Sequence, residues 1–226
     1  GPGVSAALGA GVALASGQAD AALKAYDQSA QVHFPETLLL RMGEAFDKAG
    51  RGRDAMIVTA NEVLKELKSL GTDAYADMMR KHGAVDPIYG VKIEHMKKIQ
   101  KRIRKDYQLA LDLYDSGVYD AMYFAGLIAD DAAMTKKDLE KWVAAAKSPG
   151  IAEYTVPWVA SEGRYGMELG QKWIDSKKEA IASAGWQTLA CLVAVKEDSE
   201  LDVKALDALL DRVAKTIHDQ PNRVKY

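Results

Sequence analysis

Apolar residues recur along this chain at intervals of three and four, in windows otherwise filled by Ala, Lys and Glu, and β-branched residues never form alternating runs. Both features predict helix throughout. Around residues 97–107, Met96, Ile99, Ile103 and Tyr107 fall on one stripe with Lys and Arg opposite, which predicts an amphipathic helix. Gly17, Gly50, Gly71, Pro87, Gly117, Pro149, Gly163 and Pro221 punctuate the pattern at short intervals. Thr135 followed by Asp138 predicts a capped helix start, and Ser116-Gly117 a helix stop. Short helices joined by short turns predict an all-α fold, an α-solenoid of antiparallel helix pairs.

Two regions are expected. Over residues 1–60, Gly17, Ala22 and Tyr26 recur in type as Gly50, Ala55 and Thr59, and Met42-Gly43, Phe46, Gly50 and Ala55 keep the internal spacing of a tetratricopeptide repeat, which this segment resembles. Small residues at these positions let two helices approach, and the aromatic fills the groove. The resemblance implies a protein or peptide partner for this segment. Residues 61–226 form the second region, entered through Glu62-Val63-Leu64-Lys65-Glu66-Leu67 without a Pro/Gly linker. A continuous helix over 53–70 would join the two, either as an engineered fusion through a shared helix or as a natural solenoid with an unusual cap.

Composition narrows the function classes. The chain has 226 residues and a formal net charge of −2, so attraction to nucleic acid needs a local patch rather than a global field. The single cysteine, Cys191, lies in an apolar run; this excludes an internal disulfide, predicts a buried inert thiol and favours a cytoplasmic setting. Charges interrupt every apolar run before membrane-spanning length. Gly1-Pro2-Gly3 reads as a protease scar, with a domain cut from a longer protein as the other reading.

Three separated texts carry a second resemblance. Tyr89-Gly90-Val91 is followed by Met96-Lys97-Lys98-Ile99, then by Leu109-Ala110-Leu111-Asp112-Leu113-Tyr114-Asp115-Ser116-Gly117 and Ala125-Gly126-Leu127-Ile128-Ala129-Asp130. Ala184-Gly185-Trp186 and a closing Pro221-Asn222-Arg223-Val224-Lys225-Tyr226 complete the order. Over 62–226 the chain resembles the HEAT-repeat DNA alkylation repair glycosylases. The resemblance implies a curved stack of HEAT-like helix pairs that binds duplex DNA, and base release by aromatic residues with one carboxylate. It also implies further helices beyond residue 226.

The same resemblance locates departures. Pro149 follows Ser148 where the family has a Trp, Glu153 stands where the catalytic Asp belongs, and Ala180 falls where a second aromatic is expected. Glu153 is thus the candidate catalytic residue, to stabilise the developing oxocarbenium charge or to position water as the glycosidic bond breaks. A misplacement on the order of 1 Å costs about a hundredfold in rate, so impaired catalysis is expected. Tyr154, Trp158, Tyr165 and Trp173 are read as core aromatics. The dense basic run supplies the candidate DNA-binding residues Lys92, Lys97, Lys98, Lys101, Arg102 and Lys105, with Arg104 beside them and Glu94 as the one acid inside. Lys136, Lys137, Lys141, Lys172, Lys177 and Lys178 are candidates to extend the stripe. His33, His82, His95 and His218 lie far apart, so neither metal nor cofactor is expected. Three functional readings follow: a catalytically impaired helical-repeat module binding duplex DNA, a scaffold or protein-interaction module, and an active alkylpurine glycosylase using Glu153.

Overall fold

The computed structural model describes residues 58–225, and among these every regular element is helical. The tetratricopeptide-like segment over 1–60 and the partner expected there fall almost wholly outside the described residues. Val58 and Thr59 precede the first helix, so the expected passage over 53–70 is not helical throughout. Helix α1 spans Ala60–Leu70 and carries Glu62 in its first turn, where an acidic side chain meets the positive helix end.

The order continues with α2 (Asp73–Lys81), α3 (Ile93–Ile103), α4 (Tyr107–Asp115), α5 (Tyr119–Ile128) and α6 (Lys136–Ala145). A single π-helical turn, Ile151–Thr155, then runs directly into α7 (Val156–Glu162). Helices α8 (Gly166–Trp173), α9 (Glu179–Val195), α10 (Val203–Thr216) and α11 (Asn222–Lys225) follow. Adjacent helices pack as pairs, α4 on α5 and α8 on α9, and α9 also covers α7 and the π turn. The α8–α9 crossing is close because Gly185 faces Trp173 and Ile174: a Cβ there would lie 2.6 Å from the Ile174 nitrogen. The core runs along the stack through Leu67, Met96, Phe124, Trp142 and Trp173, and Trp142 lies flat against Tyr114 at 4.1 Å.

The predicted start at Thr135 is a full capping box. The Thr135 hydroxyl accepts from the Asp138 backbone, and the Asp138 carboxylate accepts from the Thr135 backbone N–H. The predicted stop is equally plain: Ser116 ends α4, and Gly117 follows with φ +70°. The stripe ending at Tyr107 is corrected. Helix α3 stops at Ile103, Arg104 turns the chain at φ +64°, and Tyr107 opens α4. Asp106 causes the break, since its side chain caps α4 at the Leu109 N–H while its own N–H donates to the Ile128 carbonyl.

Candidate nucleic-acid interface

The Tyr89-Gly90-Val91 text acquires a physical reason. Gly90 has φ +76°, and a Cβ there would lie 2.2 Å from the Thr72 carbonyl oxygen, so only glycine lets this loop reach the start of α2. The loop is held by Asp120, a carboxylate only 2% exposed in the first turn of α5. Its oxygens accept from the backbone N–H groups of Tyr89 (2.5 Å), Gly90 (3.3 Å) and Val91 (2.7 Å). Arg80 forks onto Asp86, and the Val85 N–H donates to the Ser148 hydroxyl at 2.9 Å. These bonds fix the approach to Lys92, which stands at the N-cap of α3.

Helix α3 buries Met96 and Ile99 and turns Lys97, Lys98 and Lys101 to solvent. Residues three and four apart share a helix face, so these three lysines form one row, with Glu94 a turn earlier. None of them, nor Lys92, forms an ion pair among the described residues. Arg102 and Lys105 differ: Arg102 pairs with Glu66 of α1, and Lys105 with Asp131 after α5. Each cation is held above its ordinary pKa first by that hydrogen bond. Of the cations considered as an extension of the stripe, Lys136 pairs with Glu168, Lys141 with Asp115 and Lys172 with Glu140. These pairs tie neighbouring helices together and break the stripe.

Glu153 lies in the π turn, a distortion frequent at functional sites. Its side chain is 16% exposed and meets the Arg223 guanidinium of α11 at 3.4 Å. The Arg223 backbone N–H donates to Glu179 at 2.9 Å, which fixes α11 over the start of α9. Glu153 and Arg223 border a cleft of about 300 Å³, with Ser183, Trp186, Gln187 and Gln220 among its walls. Pro149 packs toward Gly83, its Cγ 3.3 Å from where a Cβ on Gly83 would stand. The position that the resemblance assigns to a Trp therefore presents no aromatic wall. Ala180, at the second such position, is half-buried against the core.

The four aromatics divide. Trp173 is core, its indole N–H directed at Glu140. Tyr165 is half-buried with the Lys136 and Arg164 cations over its ring. Trp158 is half-buried, and Tyr154, read as core from sequence, is 49% exposed. Cys191 is half-buried, and burial pushes its thiol pKa up, away from the reactive thiolate. Among the described residues no group of His, Cys, Asp and Glu has metal-binding geometry, and no helix is long and apolar enough to cross a membrane. Sequence reasoning missed two residues of this region. Asp120 looks like any helix-start acid, and nothing local in Arg223 announces its reach to Glu153.

Comparison with known proteins fits this geometry. Two curated relatives cover 75% of this chain and 75% of their own length: uncharacterized protein Lin0241 of Listeria innocua, 27% identical, and uncharacterized protein Lmo0209 of Listeria monocytogenes, 25% identical. A solved structure, described under a new family of proteins related to the HEAT-like repeat DNA glycosylases with affinity for branched DNA structures, is 35% identical with a TM-score of 0.71. The match covers 74% of this chain and 72% of that one. The family model described as DNA alkylation repair enzyme matches residues 63–226, and the chain belongs to that family.

Proposed function

We propose that this chain is a DNA-binding helical-repeat module that recognises branched DNA through its phosphates and does not release bases. The observation that carries the reading is the row of Lys97, Lys98 and Lys101, exposed on α3 and free of ion pairs among the described residues. Phosphate contacts supply affinity without sequence information, which suits recognition of a DNA shape. The affinity for branched DNA stated for the 35% identical relative supports branched DNA as the class of ligand. The formal net charge of −2 confines attraction to this local face. The engagement of Glu153 by Arg223, with Pro149 and Ala180 in place of aromatics, supports binding without chemistry.

The test is fluorescence anisotropy of a labelled four-way junction and a matched linear duplex across a salt series. Three phosphate contacts predict a log–log salt slope of about −2.7, and reversing three lysines removes most of it. The variant Lys97→Glu/Lys98→Glu/Lys101→Glu should lose junction affinity at least about tenfold and flatten the slope by most of that amount. Failure of the wild type to bind either DNA at low salt would leave a scaffold or protein-interaction module as the reading.

A further inference from the structure

Beside the Glu153–Arg223 pair, aromatic side chains from three separate elements converge on one surface. Tyr123 of α5 meets Trp158 of α7 edge-to-face at 5.6 Å between ring centroids, and Tyr154 of the π turn meets the same Trp158 at 6.0 Å. Tyr119 lies one turn before Tyr123, and its hydroxyl is 2.3 Å from where a Cβ on Gly150 would stand, so it comes up directly beside the π turn. Tyr75, half-buried on α2, adds a fourth phenol near Tyr119 and Tyr123, whose own pKa values are raised first by burial and then by neighbouring rings that include Tyr75.

Tyr119 is buried and roots the group in the core, and two features set the remaining rings apart from core packing. The hydroxyls of Tyr107 and Tyr114 are hydrogen-bonded to Asp138 and to the Trp142 carbonyl, as buried phenols usually are. Those of Tyr75, Tyr119, Tyr123 and Tyr154 bond no described residue. Tyr154 also leaves half its surface in solvent beside a partner ring. Cations stand on the segments that flank the group. Lys81 ends α2, the helix that carries Tyr75, and Lys147 precedes Ser148; both are exposed and free of ion pairs among the described residues. The Arg223 guanidinium lies 3.7 Å from where a Cβ on Gly83, close after Lys81 in the chain, would stand.

We infer that Tyr154 and Trp158, with Tyr75, Tyr119 and Tyr123 around them, form a platform that stacks an unstacked nucleobase of branched DNA while Lys81 and Lys147 hold the adjoining phosphates. The inference rests on the DNA-binding reading above and deepens it. Aromatic faces bordered by cations match a single-stranded nucleotide, which offers a π-face and a phosphate together. A perfect duplex offers its bases only in the stack, so the platform favours branches. The exposed, unpartnered Tyr154 hydroxyl is free to meet a base edge, where donors and acceptors both occur.

A junction carrying 2-aminopurine at the branch point, beside a duplex with the same analogue paired, tests the platform directly. The wild type should quench the branch-point fluorescence and leave the paired analogue unchanged. Tyr154→Ala should abolish the quenching and reduce the preference for junction over duplex by about tenfold, with Tyr154→Phe retaining both. Duplex affinity and salt slope should stay at wild-type values in Tyr154→Ala, which reports that the variant is folded. Junction binding that depends on Lys97, Lys98 and Lys101 but is indifferent to Tyr154→Ala, without quenching, overturns the platform and leaves DNA binding standing. Absence of all DNA binding overturns both, and the surface would then belong to a protein ligand.

Discussion

At the scale of single residues, Asp120 is the side chain on which the loop before α3 depends. A carboxylate buried to 2% exposure is costly unless its lone pairs are filled, and three backbone N–H groups fill them. Its place in the first turn of α5 adds the favourable end of the helix dipole. Asp120→Ala would leave the N–H groups of Tyr89, Gly90 and Val91 without a partner, for a loss of about 3 kcal/mol. Urea unfolding should show this as a lower midpoint at unchanged slope, with Asp120→Asn intermediate because its amide oxygen still accepts. A loss below about 0.5 kcal/mol in Asp120→Ala would mean that the loop is held by other contacts. Glu153 was legible as a candidate because one motif points to it. Its guanidinium partner was not, since the two residues are 70 apart and meet only once the stack has formed.

Among the elements, legibility followed locality. The start of α6 could be read from Thr135 and Asp138, because a capping box is written within four residues. The break between α3 and α4 could not, because Arg104 is a good helix former and the apolar stripe runs on to Tyr107; the break is imposed by Asp106 and the carbonyl of Ile128. The capping box also carries a pH signature. Partial burial raises the Asp138 pKa, but hydrogen bonds from the Thr135 hydroxyl and backbone and from Tyr107 outweigh it, leaving the carboxyl below its ordinary value. A pKa depressed by folding contributes stability above the unfolded value, near 4, and that contribution is lost as pH falls through the folded one. Asp138→Asn should therefore be less stable by about 1 kcal/mol near neutrality. The gap should narrow as pH falls below about 4 in unfolding titrations of both proteins. A gap of constant size across that range would show that the charge of Asp138 contributes nothing.

For the whole described stack, fold and chemistry came apart in how far the sequence exposed them. Helical texts in family order are each local, and their sum implied the HEAT-like architecture that the 35% identical structure shares. The proposed interface depends instead on which side chains meet across elements. Lys136, Lys141 and Lys172 look like DNA contacts in the sequence, yet each is taken up by an acid from elsewhere in the stack. Tyr154 looks like core until α5 and α7 bring Tyr123 and Trp158 beside it. The same long-range arrangement bears on base release. A carboxylate assists cleavage of a glycosidic bond by facing the developing positive charge in a desolvated site. Here the carboxylate of Glu153 already faces the Arg223 cation at 3.4 Å, and a guanidinium beside the reacting sugar would oppose that charge. Pro149 and Ala180 supply no aromatic ring to hold a cationic base. The wild type should therefore release N-alkylpurines from alkylated duplex no faster than the spontaneous rate, and Glu153→Gln should match it. Arg223→Ala uncovers the carboxylate without adding an aromatic wall, so it too should stay at the spontaneous rate. Counting released bases by chromatography decides the matter: release above background in the wild type, lost in Glu153→Gln, would establish the carboxylate as catalytic and overturn the reading of this stack as a binding module without chemistry.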